Sequence, residues 1–325
     1  MLSPPWSTMS RRPILIVAAL IALIPFPVFA QTGGAKPGAP PPASAGHELT
    51  FGLGWYDYVE PSDTSISIHG AKFAGEYSGV FSIGGRRHWF VRANARASFG
   101  STNYDGWCGP WLITPNSASP NGYALDIGDY SPCEDSGNPD WYLEGRGLAG
   151  RVFAGQRWAW SPEAGIGVRH LSNGLADVGG YRTDKYLYVP MSLTARTTIG
   201  SHGVLSLNFE YDHLIRGWQT TYQSKLGGGD VPATATAPAF TINGFTDIAF
   251  DQHSGRALRA SAKIEMGRRW SVEPYWVYWN VGDSNVNYSA ATFTVNGISA
   301  QQQLGFYEPR NATSEAGVKF SFRIR

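Results

Sequence analysis

From His47 onward the chain repeats with a period of two. In the last run Ala316, Val318, Phe320, Phe322 and Ile324 share one face, and Glu315, Lys319, Ser321, Arg323 and Arg325 share the other. Trp89, Val91, Ala93, Ala95 and Ala97 alternate with Phe90, Arg92, Asn94, Arg96 and Ser98. Leu205, Leu207, Phe209 and Tyr211 alternate with Ser206, Asn208, Glu210 and Asp212, and Leu258 to Met266 follow the same rule. Successive side chains of a strand point to opposite faces, so each run predicts a two-faced β-strand. Ten runs can be placed, over 48–57, 66–81, 87–99, 141–154, 157–171, 185–199, 203–216, 256–267, 269–282 and 313–324. Each is about ten residues or more, the length a tilted strand needs to cross hydrocarbon.

The connections alternate in length. Gly84 to Arg86, Gly155-Gln156-Arg157, Ser201-His202-Gly203 and Gly267-Arg268-Arg269 make short turns, whereas 100–140, 172–184, 217–255 and 283–312 are long and polar. Short turns at one end and long loops at the other predict an all-β fold: a closed antiparallel transmembrane β-barrel of about ten strands, termini in the periplasm and long loops outside. Eight or twelve strands, and a secreted β-sandwich, are the alternatives. Closure matters because hydrocarbon offers no partner to an unpaired sheet edge. Ala233 to Phe240 and Ser284 to Gln303 are expected as flexible external loops that bind a ligand or shield the barrel.

Composition narrows the picture. Charged residues are 16% of 325, below the usual quarter or so, while mean hydropathy is only −0.22. Apolar residues are therefore interleaved with polar ones, and the long apolar runs of a helical membrane protein are missing beyond the first 30 residues. Twenty-six basic against 25 acidic residues leave no basic stripe for nucleic acid. Arg11-Arg12, the apolar stretch Ile14 to Phe29 and the small-residue end Val28-Phe29-Ala30 predict a signal peptide over 1–30, with a membrane anchor as the alternative. Residues 31–46 form a Pro/Gly/Ala-rich linker, leaving 47–325 as the barrel. Export puts Cys108 and Cys133 in an oxidising compartment, where a disulfide is favoured.

The inward face carries Arg92, Arg96, Glu144, Arg146, Glu210, Asp212, Arg259, Lys263, Glu265, Glu273, Glu315 and Lys319. A ten-stranded lumen is close to the size that side chains fill, and buried charges must be paired. The expectation is a monomeric barrel with a charge-plugged lumen and a structural or surface-interaction role. A narrow ion pathway lined by charge rings is the alternative. Trp158, Trp160 and Trp270 near the short turns, and Trp276, Tyr278 and Trp279 toward the outer end, are expected in the two aromatic girdles. The partners expected are the lipid bilayer with its lipopolysaccharide and an extracellular ligand of the loops; no cofactor or metal motif stands out.

In the fifth run Ile166 and Val168 face lipid, so His170 and Ser172 share that outward side near the outer rim. A His two residues from a Ser on one strand face can take its proton, given a third group to orient the ring. His170-Leu171-Ser172-Asn173-Gly174 resembles the active-site strand of outer membrane phospholipase A, and His-x-Ser-Asn resembles that of the lipid A 3-O-deacylases. The resemblance implies acyl-ester hydrolysis at the lipid-facing wall, with Ser172 as nucleophile, His170 as base and Asp184, fourteen positions on, as orienter. It covers about fifteen residues. Leu187, Val189, Met191 and Leu193 face outward, so Asp184 points inward unless a bulge intervenes. An omptin-like surface protease is a further reading, with Asp105, Asp212 and His213 as its candidates, although adjacent Asp212 and His213 face opposite ways. Gly180-Tyr181-Arg182 followed by Tyr186-Leu187-Tyr188-Val189-Pro190 resembles uncharacterised Gram-negative outer-membrane barrels, which implies fold and compartment but no activity.

Overall fold

The computed structural model describes residues 46–83, 89–175, 180–200, 203–226, 228–267 and 269–324. The expected signal peptide, nearly all of the linker, and the turn residues Gly84 to Arg86 and Ser201-His202 lie outside them. In chain order the strands are β1 (Gly46–Glu60), β2 (Asp63–Ser82), β3 (Trp89–Cys108), β4 (Trp111–Pro115), β5 (Tyr123–Ile127), β6 (Ser131–Arg151), β7 (Phe153–Ala154), β8 (Ala159–Leu175) and β9 (Gly180–Ile199). Then follow β10 (Gly203–Tyr222), β11 (Gly229–Val231), β12 (Phe240–Phe245), β13 (Ile248–Gln252), β14 (Gly255–Met266), β15 (Trp270–Val281), β16 (Asn287–Val295), β17 (Ile298–Phe306) and β18 (Asn311–Ile324).

Ten of these close into a ring. β1, β2, β3, β6, β8, β9, β10, β14, β15 and β18 pair in that order, each antiparallel to its neighbours, and β18 returns to β1. Alternation decides what each face meets. Phe51, Phe73, Ile166, Phe209 and Phe320 lie open on the outside, while Thr50, Arg96, Glu144, Glu210 and Glu315 on strands of the same ring are buried within. Trp89, Trp160 and Trp270 stand exposed near the short-turn end, with Trp158 against Trp160 at 6.2 Å. Trp276 and Tyr278 stack at 5.9 Å toward the other end. Trp279 departs from expectation: it is 2% exposed and packs inside against Tyr186 and Tyr188. The period of two requires this, since Tyr275, Val277 and Trp279 share the inward face.

The strands run further than the apolar pattern indicated. β3 has 20 residues and β6 has 21, so much of the segment expected as a loop over 100–140 is wall. Beyond the hydrocarbon an outward residue no longer has to be apolar, so the hydropathy signal stops while the hydrogen-bonded ladder continues. The Cys108–Cys133 disulfide ties the extended ends of β3 and β6 together. Thr183 to Asp184 and Ser172 to Gly174 are likewise paired strand rather than loop.

The largest departure lies outside the membrane. β11, β12, β16 and β17 form a separate four-stranded sheet, and β4 pairs with β5 as a hairpin. Phe240, Ile242, Phe245, Phe293 and Val295 of the sheet bury a common core with Ile113 and Leu125 of the hairpin. Gln302 joins the two pieces, accepting from the Leu125 amide at 2.7 Å and donating to its carbonyl at 2.9 Å. The stretch Ser284 to Gln303, expected as a flexible loop, is therefore mostly a folded hairpin. Its turn is Asn296-Gly297, with φ of 50° and 79°, the left-handed pair a two-residue hairpin needs. β13 pairs with the outer end of β10, fastening this cap to the wall.

Candidate functional site

The lumen is organised around a layer of buried charges and phenols. Arg259 grips Glu144 with two hydrogen bonds, 2.5 and 3.0 Å, and reaches Asp212 through Nε at 2.8 Å. Tyr188 donates to Glu144 at 2.7 Å, and Arg146 meets Glu210 at 2.5 Å. Across the lumen Glu315 accepts from Arg96 at 2.5 Å, Tyr275 at 2.7 Å and Tyr142 at 3.0 Å. Arg169 lies 4.1 Å from the centre of the Tyr142 ring, and Lys72 pairs with Asp140 while sitting 3.7 Å above Tyr56. Such pairs repay desolvation only as far as their remaining donors and acceptors are met; the hydroxyls of Tyr142, Tyr188 and Tyr275 meet part of that need, while Arg96 Nε and Asp212 Oδ1 stay without a hydrogen bond.

Below the layer a void of about 190 Å³ faces the short-turn end. Its walls carry Lys319 paired with Glu76 at 2.9 Å, Arg196 and Arg323 both on Glu265, and Lys263 on Glu48. Arg92 meets Glu163 at 3.1 Å, and Glu273 lines the void in register with Lys319. Above the layer a void of about 50 Å³ is bounded by Tyr58, Arg182, Asp184 and Glu308. Among the described residues none lines both voids. Sequence reasoning did not single out Lys72, Asp140, Arg169, Glu76 or Glu163, although alternation marks several of them: Ala71 and Phe73 face out, so Lys72 must face in. The phenols carried no such flag, because tyrosine suits either face.

At the outer rim β8 separates the candidate hydrolytic residues. His170 lies on the outer wall, opposite Leu143 and Lys185, with Trp141 edge-on at 5.3 Å. Ser172, opposite Trp141, is on the same face by alternation. Asp184 pairs with Leu171 in unbroken register and lies on the inward face, where it lines the upper void. Among the described residues no hydrogen bond joins His170 to Ser172, and His170 Nδ1 meets no partner. Of the protease candidates, Asp212 is held inside by Arg259, His213 is exposed on the outer wall and Asp105 pairs with His69 at 3.5 Å. Among the described residues no three His, Cys, Asp or Glu side chains converge as a metal site.

A closed wall that is apolar outside and ionic inside, with short turns at the end where β1 begins and β18 ends, is built for hydrocarbon. The chain is a transmembrane β-barrel of the outer-membrane kind. It matches no protein-family model and no curated protein sequence. Among solved structures it is similar to the outer membrane protease OmpT from Escherichia coli, at 10% identity over 90% of this chain and 99% of that one, with a TM-score of 0.44. It is also similar to an outer membrane channel from Pseudomonas putida F1 (9% identity, 90% and 100% covered, TM-score 0.34). The transport unit of the autotransporter AIDA-I from Escherichia coli is a third (7%, 96% and 99%, 0.37). The protease, channel and transport activities in those names belong to those proteins.

Proposed function

We propose that this barrel is a closed anchor that presents a folded β-cap at the cell surface as an interaction platform. The observation that carries the reading is the cap's own apolar core, in which Ala291 and Phe293 are fully buried, standing on a wall whose lumen is crossed by a layer of paired charge. A loop that merely shields a barrel has no need of a second hydrophobic core. Tyr288, Ile298 and Tyr307 remain exposed on and beside the cap, the kind of aromatic and aliphatic surface that partners bury.

An epitope inserted between Asn296 and Gly297 tests the display. Antibody is expected to label intact cells, and labelling only after the outer membrane is permeabilised would overturn the reading. Deleting 287–306 is expected to leave a heat-modifiable barrel in the membrane. Loss of the barrel with the hairpin would instead make the cap part of the wall.

A further inference from the structure

The lipid-facing wall is not uniformly convex. Between β3, β6, β8, β9 and β10 it is indented by a groove of about 670 Å³ on the outside of the barrel. The register lays out its rows. The lower one runs Ala95, Gly145, Val168, Leu187 and Arg216, and the upper one Ala97, Leu143, His170, Lys185 and Trp218. The lower floor is recessed at Gly145, where a β-carbon would meet only Val168, at 3.8 Å. Its two ends therefore differ chemically: small and apolar toward β3, cationic and aromatic toward β10.

Height decides what the cationic end meets. Lys185 is fourteen positions from Ile199, the periplasmic end of β9, which at about 3.3 Å per residue and a tilt of about 40° is about 35 Å of rise. An apolar band about 25 Å tall ends below that level, so Lys185 stands among headgroups and the floor at Ala95 and Gly145 among acyl chains. Lys185 is exposed, and among the described residues it has no ion pair. The carboxylate nearest in register on this face, Asp251, is taken by Arg216 at 2.9 Å, and Arg216 also lies 5.2 Å from the centre of the Trp218 ring. His170 adds a ring donor beside Lys185. An unneutralised ammonium above an apolar groove complements a lipid that carries phosphate on its headgroup and has several chains to lay down.

We infer that this groove binds one phosphorylated, multiply acylated lipid of the outer leaflet, with the phosphate held by Lys185 and His170 and an acyl chain lying over Gly145. Trp218 packs against the ligand at the headgroup boundary. The inference is independent of the cap and of the state of the lumen.

Native mass spectrometry of the purified full-length barrel, titrated with bis-phosphorylated hexa-acyl lipid A in detergent, tests it. Wild type is expected to retain one lipid, and enzymatically dephosphorylated lipid A to bind at least tenfold more weakly. Lys185→Ala with His170→Ala should lose the preference for phosphate, Lys185→Arg should keep it, and Gly145→Phe should weaken both lipids alike. Heat-modifiable mobility identifies variants that have folded; if Gly145→Phe does not fold, Gly145→Leu is used for the acyl arm. Equal binding of the two lipids by wild type, or an unchanged preference in the Lys185/His170 double variant, would overturn the inference. So would inorganic phosphate displacing the lipid at millimolar concentration, since the acyl groove would then contribute nothing.

Discussion

The barrel and its cap are built from the same kind of strand and are turned inside out relative to each other. In the wall, Phe51, Leu53 and Phe209 face outward and Arg96, Glu144 and Arg259 face inward; in the cap, Ile242, Phe293 and Val295 are the interior. Both obey one rule, that apolar side chains leave water. What changes is where water is. Around the wall it is replaced by hydrocarbon, so apolar side chains can face outward, and the interior is held by ion pairs and phenolic hydrogen bonds beside one buried cluster around Trp279 and Leu214. The cap stands in water and is unified by burial. The two regions should therefore fail separately and for different reasons.

The largest expected effect is in the lumen. Arg259→Ala leaves Glu144 and Asp212 buried without their counter-charge, a loss of about 3–5 kcal/mol. Urea unfolding of the barrel in vesicles should show it, with the cap's resistance to protease unchanged while the barrel stays folded. Phe293→Ala is the mirror experiment: about 3–5 kcal/mol is lost from the cap. Protease should then cut within 229–245 or 287–306 while the barrel keeps its heat-modifiable mobility. If both variants lost cap and wall together, the two regions would be one cooperative unit.

Two smaller changes sharpen the contrast. Leu53→Arg puts a cation on the lipid face, at a cost of about 2–4 kcal/mol near the bilayer midplane. The same substitution on a water-facing cap residue such as Ile298, 52% exposed, should be nearly neutral. Gly297→Ala forces a β-carbon into the left-handed region and should weaken the cap hairpin by about 1–2 kcal/mol, read as faster amide exchange in β16 and β17.

How far the sequence disclosed this depended on the solvent. Within hydrocarbon the alternation is close to strict, so the wall strands and most of their facing could be read from it, Trp279 being the exception among the expected girdle residues. Above the membrane the outward positions of β3 and β6 become polar and the strands vanish from the pattern, although Cys108 and Cys133 still marked where two ends meet. The cap was missed for a different reason. Its core combines residues from near 113, 125, 242 and 293, a long-range assembly that no local period announces. One local signal was available, Asn296-Gly297 between two alternating runs, and it predicts a hairpin. In the lumen the charged residues stood out because charge on a membrane strand is conspicuous, whereas Tyr142, Tyr188 and Tyr275, which hydrogen-bond to Glu315 and Glu144, carried no signal because tyrosine suits either face. At the rim, alternation alone fixed the inward position of Asp184 and the outward position of His170.

The account turns on the polar layer closing the lumen, and single-channel recording of the purified barrel in planar bilayers tests that most directly. Wild type is expected to show no resolvable conductance steps, and steps should appear when the layer is thinned by Arg96→Ala with Glu315→Ala, a paired removal that leaves no lone charge. Reproducible steps from wild type, of a size that the paired removal does not change, would contradict it.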